Sequence, residues 1–395
     1  MRSHPSAFPI LAIALAVSGE APRSGDEEIA KILEPILEDH KLPALAAAVV
    51  TGRGVEAAAA VGVRKRGSGV VATKGDLWHL GSETKAMTAA LVARLVEKGL
   101  LRWDSTVAEI FPEIAPEFDP AFRPVTVRHL LAHRAGLERD LDWSALSKGR
   151  TVRDARLEAV KRAFSKPPAK PPGSSAAYSN LGYVVVGAVV ERATGKSWEA
   201  AIREEVFAPL RMESAGFGGL GTPGELDQPW GHASGGEPAR ENGPEADNPP
   251  VLGPAGRVHA TLEDWGRFVA DLLRGAAGEE ALLRPESYRE ILAPPFGGEY
   301  ALGWVVAERD WAGGRALNHT GSNTFYYANA WVAPERGFAV LVCANQGLDA
   351  YAATDRTAAV LIRWWNSRPP PPAPLNQERS APPWTPAVRR CRPGT

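Results

Sequence analysis

Residues 77–99 have the sequence LWHLGSETKAMTAALVARLVEKG, and the spacing of the apolar residues changes within this stretch. The first four residues form a short apolar lead-in. After Ser82, apolar residues recur at helical spacing as far as Val96. Gly99 suits the left-handed position that commonly follows the last turn of a helix. The pattern predicts an extended segment, a turn at Gly81-Ser82, and a helix that starts with Ser82.

Ser82 and Lys85 are the first two polar residues of interest, and together they form the pattern S-x-x-K. Residues at i and i+3 share a helix face, so the Lys85 amine can reach the Ser82 hydroxyl. A serine becomes a good nucleophile only when a neighbouring base takes its proton. The N–H groups at a helix start also favour a developing oxyanion. The alternative, a solvated surface lysine, fits poorly with the apolar face that follows.

A second short string, Tyr178-Ser-Asn180, comes just before another predicted helix. In an extended segment, residues at i and i+2 point to the same side. A tyrosine flanked by cations has a lowered pKa and can act as a base or a proton relay. An asparagine amide can hold a substrate carbonyl. The alternative is a simple helix start, where asparagine caps readily.

A third string, His319-Thr320-Gly321, lies in a region rich in strand signals. Gly321 predicts close approach of a substrate backbone to an edge strand, and Ser322 could offer an N–H to the oxyanion. A lone histidine is usually structural, and His319 gains weight only from the other two strings. An unperturbed histidine has a pKa of about 6.5, so His319 is expected to be mostly neutral at pH 7 and to titrate below it.

The remaining periodicities predict a mixed α/β (α+β) fold. Strands far apart in the sequence are expected to share one antiparallel sheet, covered by helices, with a mostly helical lobe from the middle of the chain. Residues 216–254 are rich in Gly, Pro, Asn and Glu and predict a long loop. Helices are predicted at 27–39, 126–133, 181–193, 197–207, 261–273 and 352–365, and strands at 45–51, 55–63, 301–307, 326–333 and 338–344.

Composition narrows the classes of function. The 395 residues are 44% hydrophobic and carry a formal net charge of −1, and no basic stripe suggests a nucleic-acid partner. Of the two cysteines, Cys343 lies in an apolar run that predicts a buried strand thiol, in preference to a disulfide with Cys391. The H-x-x-x-H spacing of His129 and His133 resembles a zinc pair, but no glutamate base lies between them. We expect no metal and no cofactor.

The two ends of the chain suggest processing and flexibility. Residues 1–21 combine Arg2, a short apolar stretch and small residues, which predicts a signal peptide and export to the periplasm or the medium. Residues 22–366 would form the folded domain, with no transmembrane span. Residues 367–395 contain four consecutive prolines and predict a flexible tail whose removal should alter neither stability nor activity.

Taken together, the three strings resemble the serine β-lactamase and penicillin-binding protein superfamily, in the branch of class C β-lactamases, D-alanyl-D-alanine carboxypeptidases and related esterases. The string from His129 to Leu137 resembles the family's H-L-L-T-H-T-S-G-L. The resemblance extends over roughly residues 27–365. It also includes Tyr178-Ser-Asn-Leu-Gly-Tyr183, Thr194-Gly-Lys196, Pro209-Leu-Arg-Met212, Pro254-Ala-Gly256, Gly303-Trp304, and Pro334-Glu-Arg-Gly337 with Asn345.

This resemblance implies a β-lactamase-like fold and a role for each matched residue. Ser82 would be the nucleophile, Lys85 its proton acceptor, and Tyr178 the general base or relay. Asn180 would hold the acyl side chain. The third side of the site would contain His319, Thr320, Gly321 and Ser322, with the N–H groups of Ser82 and Ser322 forming the oxyanion hole.

Two departures from the family pattern concern the third string. Histidine stands at position 319, where β-lactamases usually carry lysine, and residues 322–325 (S-N-T-F) replace a glycine-richer continuation. Both argue against efficient β-lactam hydrolysis. The sequence therefore predicts a serine hydrolase that forms an acyl-enzyme on Ser82 and cleaves a D-amino-acid peptide, a small ester or a β-lactam. The alternative is a catalytically idle, penicillin-binding-like ligand or interaction module.

Overall fold

The computed structural model describes residues 23–239 and 246–368. The predicted signal peptide, Cys391 and the predicted tail from Pro369 onward lie outside these residues. Within the described part of the chain, no helix is long and apolar enough to cross a membrane.

The described residues form twelve helices and nine strands. The helices are α1 (Asp26–His40), α2 (Thr84–Glu97), α3 (Val107–Ile110), α4 (Val127–Leu131), α5 (Trp143–Ser147), α6 (Val152–Phe164), α7 (Asn180–Thr194), α8 (Trp198–Ile202), α9 (Gly253–Gly256), α10 (Leu262–Ala277), α11 (Pro285–Leu292) and α12 (Tyr351–Asn366). The strands are β1 (Ala44–Thr51), β2 (Gly54–Gly62), β3 (Trp78–His79), β4 (Gly216–Phe217), β5 (Val258–Ala260), β6 (Val305–Arg309), β7 (Gly314–Ser322), β8 (Tyr327–Ala333) and β9 (Phe338–Ala344).

A six-stranded sheet in the order β2-β1-β9-β8-β7-β6 forms the centre of the fold, and every adjacent pair is antiparallel. Strand β1 pairs with β9 from the far end of the chain, with Leu45 opposite Ala344 and Thr51 opposite Phe338. This confirms the prediction that distant strands share one antiparallel sheet. A small second sheet has the order β3-β5-β4.

Both faces of the central sheet are buried. Leu45, Ala47 and Val49 of β1 pack into the core formed with α1 and α12, whereas their alternate neighbours pack into the core formed with α2 and α10. Successive residues of a strand point to opposite faces, so a strand covered on both sides contains an uninterrupted apolar run. This explains the ALAAAVVT sequence of β1. Helices α3 to α8 lie in the middle of the chain and form the predicted helical lobe.

Several elements differ from the predicted helices and strands, and they include the following three. Helix α6 was not expected, because its buried face consists of alanines, Val160, Phe164 and a buried Arg156 and gives little apolar periodicity. The short helix α11 was also not expected. The strand predicted at 301–307 is wrong at its start and runs instead from Val305 to Arg309. Gly303 has φ +91° and packs on α2, where an added Cβ would lie 2.7 Å from the Ala86 Cα.

Candidate active site

The turn that carries Ser82 packs directly against β7. Gly81 has φ +51°, and an added Cβ there would lie 2.3 Å from the Ser322 nitrogen. A Cβ on Gly321 would lie 1.9 Å from the Leu80 carbonyl oxygen. The pairing of β7 with β6 ends at Asn318, so the end of β7 meets this turn instead of another strand. Gly321 therefore accommodates the turn that carries Ser82, whereas the sequence suggested that it would admit a substrate backbone.

A buried group of three side chains holds this turn from beneath. The Gly81 N–H donates to His79 Nδ1 at 3.1 Å, and His79 Nε2 lies 2.6 Å from Asp247 Oδ1. Arg257 Nε donates to Asp247 Oδ2 at 2.7 Å. Burial by itself would raise the pKa of Asp247, but His79 and Arg257 together lower it to about 2. An ionised and nearly inaccessible carboxylate thus anchors the Ser82 turn.

Ser82, Lys85 and Tyr178 meet at hydrogen-bonding distance. Ser82 Oγ lies 2.7 Å from the Tyr178 hydroxyl and 3.0 Å from Lys85 Nζ. Lys85 Nζ also donates to Asn180 Oδ1 at 2.9 Å and to the Ala255 carbonyl at 2.7 Å. The residues that the sequence selected from two distant strings therefore form one connected network.

The surroundings of Lys85 favour its neutral form. Its side chain is completely buried, and this desolvation lowers its pKa well below the usual value. Asp140 opposes this shift, and Arg139 adds to it. A neutral amine has two N–H groups and one lone pair. Its two hydrogens match the acceptors on Asn180 and Ala255, and its lone pair faces the Ser82 hydroxyl. The geometry suits an amine that accepts the serine proton.

The pKa of Tyr178 differs from the expectation drawn from the sequence. Burial raises the pKa of Tyr178 to about 12, although the hydrogen bond with Ser82 and the nearby Arg139 guanidinium both lower it. The expectation that cations would lower the pKa of this tyrosine is therefore wrong, because the cost of desolvating a phenolate is larger. At neutral pH Tyr178 is protonated. Its hydroxyl can donate to Ser82 Oγ while the serine hydrogen points to Lys85.

Asn180 is fixed at both ends of its amide. Its Oδ1 accepts from Lys85, and its Nδ2 donates to Asp140 Oδ1 at 3.0 Å. Asn180 is the first residue of α7, so the predicted extended segment ends before it. Ser179 caps that helix by accepting from the Gly182 N–H. The amide reaches the site from a helix start and orients Lys85.

His319 is neutral for a stronger reason than the sequence suggested. Burial and the nearby Lys85 lower the pKa of His319 to about 3, so the expected titration near neutrality is wrong. Its Nδ1 lies 2.8 Å from the Thr320 carbonyl, which can only accept, so Nδ1 carries the hydrogen. Its Nε2, 3.1 Å from the Tyr300 hydroxyl, then accepts from that tyrosine.

An open cavity of about 390 Å³ lies in front of these residues. Ser82, Tyr178 and the string from His319 to Ser322 line it, while Lys85 and Asn180 lie behind Ser82. All eight predicted site residues are therefore gathered in one place. Sequence reasoning did not select the six other lining residues, because none belongs to the three short strings: Arg139, Tyr300, Val305, Asn318, Tyr327 and Leu348.

The histidine pair of the helical lobe is engaged in local hydrogen bonds. His129 Nδ1 lies 2.8 Å from Thr126 Oγ1 at the start of α4, and His133 Nδ1 accepts from the Ser179 N–H at 3.2 Å. The His133 ring also packs on Tyr178, with ring centroids 4.6 Å apart. In residues 23–239 and 246–368, no group of three or more potential ligands is arranged to hold a metal ion.

Glu83, next to Ser82, is almost completely buried between the start of α2 and the sheet. Its carboxyl approaches the backbone of Ala330 on β8, and neither of its oxygens makes a well-formed hydrogen bond. Burial raises the pKa of Glu83 well above its usual value, so the carboxyl favours the protonated form. No proton-transfer step of the site requires this group.

Glu83→Gln is expected to change how stability depends on pH. The raised pKa of Glu83 means that the folded state binds this proton more tightly than the unfolded state does. The resulting contribution to stability is complete below about pH 4.5, and it is lost as pH rises through the folded pKa, by up to about 1.4 kcal/mol per pH unit. The stability of Glu83→Gln relative to the wild type should therefore increase as pH rises from 5 to 8. The measurement is the free energy of unfolding in urea at each pH. The exposed Glu286→Gln on α11 is the control. Parallel curves for wild type and Glu83→Gln would contradict a buried, protonated Glu83.

Comparison with known proteins supports the family resemblance. The family model described as Beta-lactamase matches residues 29–363. Penicillin-binding protein 4 of Amycolatopsis lactamdurans is 28% identical over 343 residues, which cover 80% of this chain and 84% of that protein. Esterase EstB of Burkholderia gladioli is 34% identical over 223 residues, 54% of each chain.

The fold also has solved counterparts. The crystal structure of a class C beta lactamase from Rhodobacter sphaeroides superimposes with a TM-score of 0.67 at 20% sequence identity. The match covers 86% of this chain and all of that chain. At this level of identity the likeness concerns the fold, and it confirms the expected β-lactamase-like architecture.

Proposed function

The chain belongs to the Beta-lactamase family, a family of serine hydrolases, and from this premise we propose that it cleaves an ester or amide through an acyl-enzyme on Ser82. The observation that supports this most is the hydrogen-bonding pattern of Lys85. Two acceptors, Asn180 Oδ1 and the Ala255 carbonyl, take the two hydrogens of a neutral amine, and Ser82 Oγ lies 3.0 Å from its nitrogen.

Acylation follows from this arrangement. Ser82 Oγ attacks the substrate carbonyl carbon while its proton passes to Lys85, which becomes an ammonium ion. The Tyr178 hydroxyl protonates the leaving oxygen or nitrogen, and the tyrosinate regains a proton from the Lys85 ammonium. A water molecule then attacks the acyl carbonyl, loses a proton to the same pair of residues, and Ser82 recovers its hydrogen. The N–H groups of Ser82 and Ser322 would stabilise the oxyanion in both steps.

The neutral state of His319 bears on the substrate class. A lysine at this place would be a permanent cation facing a substrate carboxylate, whereas a neutral imidazole that donates to Thr320 and accepts from Tyr300 offers no charge. This favours small esters over β-lactams and D-amino-acid peptides that need a cation at position 319. The named esterase relative, at 34% identity, points the same way.

A substrate panel tests the proposal. Purified protein is assayed with p-nitrophenyl esters, D-Ala-D-Ala peptides and nitrocefin, with Ser82→Ala as the blank for each substrate. We expect the highest kcat/KM on the esters. The alternative, an idle ligand-binding module, would show Ser82→Ala rates on every substrate. It is disfavoured because a completely buried lysine costs folding free energy that a passive module has no reason to retain.

The pH dependence of kcat/KM should reflect Lys85 and not His319. Since the neutral amine is the active form, activity should be lost as pH falls through the lowered pKa of Lys85, and ionisation of Tyr178, with its pKa of about 12, should not limit activity up to pH 10. The measurement is kcat/KM on a neutral ester from pH 5 to 10. His319→Gln should keep the acidic limb at the same pH. If that limb disappears in His319→Gln, the histidine titrates and this assignment of protonation states is wrong.

A further inference from the structure

Charge is distributed unevenly in the cavity in front of Ser82, and the inference drawn from it rests on the proposed function. Among the described residues that line the cavity, Arg139 is the only one that is charged at neutral pH, because burial keeps His319 neutral. Lys85 lies behind Ser82 and its amine is occupied by the hydrogen bonds given above. A substrate that enters this cavity meets one cation.

The backbone of Arg139 is fixed while its guanidinium is accessible. The Arg139 carbonyl accepts from the N–H groups of Asn180 and Leu181 at 2.9 and 3.1 Å, which ties the residue to the start of α7. Its side chain is 71% exposed, and the guanidinium carbon lies 5.1 Å from the centre of the Tyr178 ring. This contact with an aromatic face keeps the cation beside the cavity.

The neighbouring carboxylate of Asp140 does not pair closely with the Arg139 guanidinium. Its Oδ1 accepts from Asn180 Nδ2 and from Trp143 Nε1, at 3.0 and 3.1 Å. Only Oδ2 approaches Arg139, at 3.4 Å from Nε. Because this ion pair is exposed to solvent, it contributes little to stability. Within the described residues, the two terminal nitrogens of Arg139 have no hydrogen-bond partner. These nitrogens form the planar fork that binds a carboxylate through two parallel hydrogen bonds.

We propose that Arg139 is a specificity-determining residue that binds a carboxylate carried by the acyl part of the substrate. We assign the carboxylate to the acyl part, which stays bound to Ser82, because Arg139 is tied through its carbonyl to Asn180 of the Ser82 network. The ester pairs below test this assignment against a carboxylate on the leaving group. The preferred substrates are then esters or amides of an ω-carboxy acyl group. Arg139 then supplies the cavity with a positive charge that His319 does not offer.

Matched esters separate this role from a general effect on catalysis. The probes are 4-nitrophenyl hydrogen adipate, which carries a free acyl carboxylate, and its methyl ester, which has nearly the same length without the charge. The wild type should prefer the free acid, and Arg139→Gln should lower kcat/KM for the acid by about tenfold, mainly through KM, with little change on the methyl ester. Arg139→Lys should keep part of the preference, and Arg139→Glu should reverse it.

Two controls address net charge and the side of the substrate. Arg53→Gln, in the exposed β1–β2 turn, removes the same charge far from the cavity and should leave the preference unchanged. The pair 4-carboxyphenyl butyrate and its methyl ester places the carboxylate on the leaving group, where Arg139→Gln should have little effect.

The preference of the wild type for the acid should weaken between ~20 mM and ~500 mM NaCl, because the cation is exposed to solvent.

The outcomes distinguish this inference from the proposed function. Equal losses on the acid and on its methyl ester would overturn the inference, since Arg139 would then act on Tyr178 or Lys85 whatever the substrate. An unchanged preference in Arg139→Gln would also overturn it, and in both cases hydrolysis of the methyl ester by the wild type would leave the proposed function standing. If the wild type hydrolyses neither adipate ester nor the butyrates, the proposed function fails, and the inference fails with it.

Discussion

Lys85→Ala is expected to lower kcat/KM for ester hydrolysis by at least about 10³-fold, nearly as far as Ser82→Ala, because nucleophile and base act as a unit. The lysine amine is the only group besides the Tyr178 hydroxyl that the structure places within hydrogen-bonding distance of Ser82 Oγ among the described side chains. Since Tyr178 is protonated, it cannot replace the lysine as proton acceptor at neutral pH. The double variant should be no slower than either single variant.

Steady-state kinetics on a p-nitrophenyl ester measure this effect, and intact-protein mass spectrometry counts the covalent adducts. A fluorophosphonate probe should add one adduct to the wild type and none to Ser82→Ala. Lys98→Ala, just after the same helix and paired with Glu205, is the matched control and should retain wild-type activity. A Lys85→Ala enzyme within about tenfold of wild type would assign the proton acceptor to another group. An adduct that persists in Ser82→Ala would place the nucleophile elsewhere.

The grouping of the proposed site residues could be predicted from the sequence because each lies in a short string with local geometry. The i, i+3 spacing of Ser82 and Lys85 survives folding whatever the rest of the chain does, and the two meet as expected. Their protonation states could not be predicted in the same way. The pKa values of Tyr178 and His319 depend on burial by residues from distant elements, and burial changed both expectations.

The overall architecture was predictable for a similar reason, and its details were not. Strands such as β1 and β9 can be predicted because each is an uninterrupted apolar run that is buried on both faces. In contrast, Arg139 and Asp140 look like ordinary polar loop residues in the sequence. Only the docking of this loop on the start of α7 places them beside Tyr178 and Asn180. Helix α6 was not predicted because an arginine, in place of an apolar residue, lies on its buried face.

That arginine, Arg156, is completely buried and connects the helical lobe to the active site. Its guanidinium donates to Glu191 and Glu199, each at 2.6 Å. It also donates to the carbonyls of Val251 and Pro250, at 3.2 and 3.0 Å. The segment that it holds in this way continues to Ala255, whose carbonyl accepts from Lys85. The ion cluster therefore fixes one of the two acceptors that orient the Lys85 amine.

Arg156→Met is expected to destabilise the protein by about 3–5 kcal/mol, because it leaves the buried Glu191 carboxylate without its cation. The measurement is the free energy of unfolding in urea, followed by tryptophan fluorescence. Arg162→Met, on the exposed side of the same helix, should change stability by no more than about 0.5 kcal/mol. Arg156→Met/Glu191→Leu should recover part of the loss, since a cluster replaced by apolar groups leaves fewer buried charges unpaired.

The same variants test the connection to catalysis. Under conditions where Arg156→Met remains folded, kcat should fall while KM changes little, because the loosened segment no longer holds the Ala255 carbonyl against Lys85. The acidic limb of the kcat/KM profile should also move, since that carbonyl is one of the groups that set the proton affinity of Lys85. If Arg156→Met loses no more stability than Arg162→Met, the cluster is not a buried anchor. If stability falls but kcat and the acidic limb stay in place, Arg156 supports the helical lobe without positioning the active-site amine.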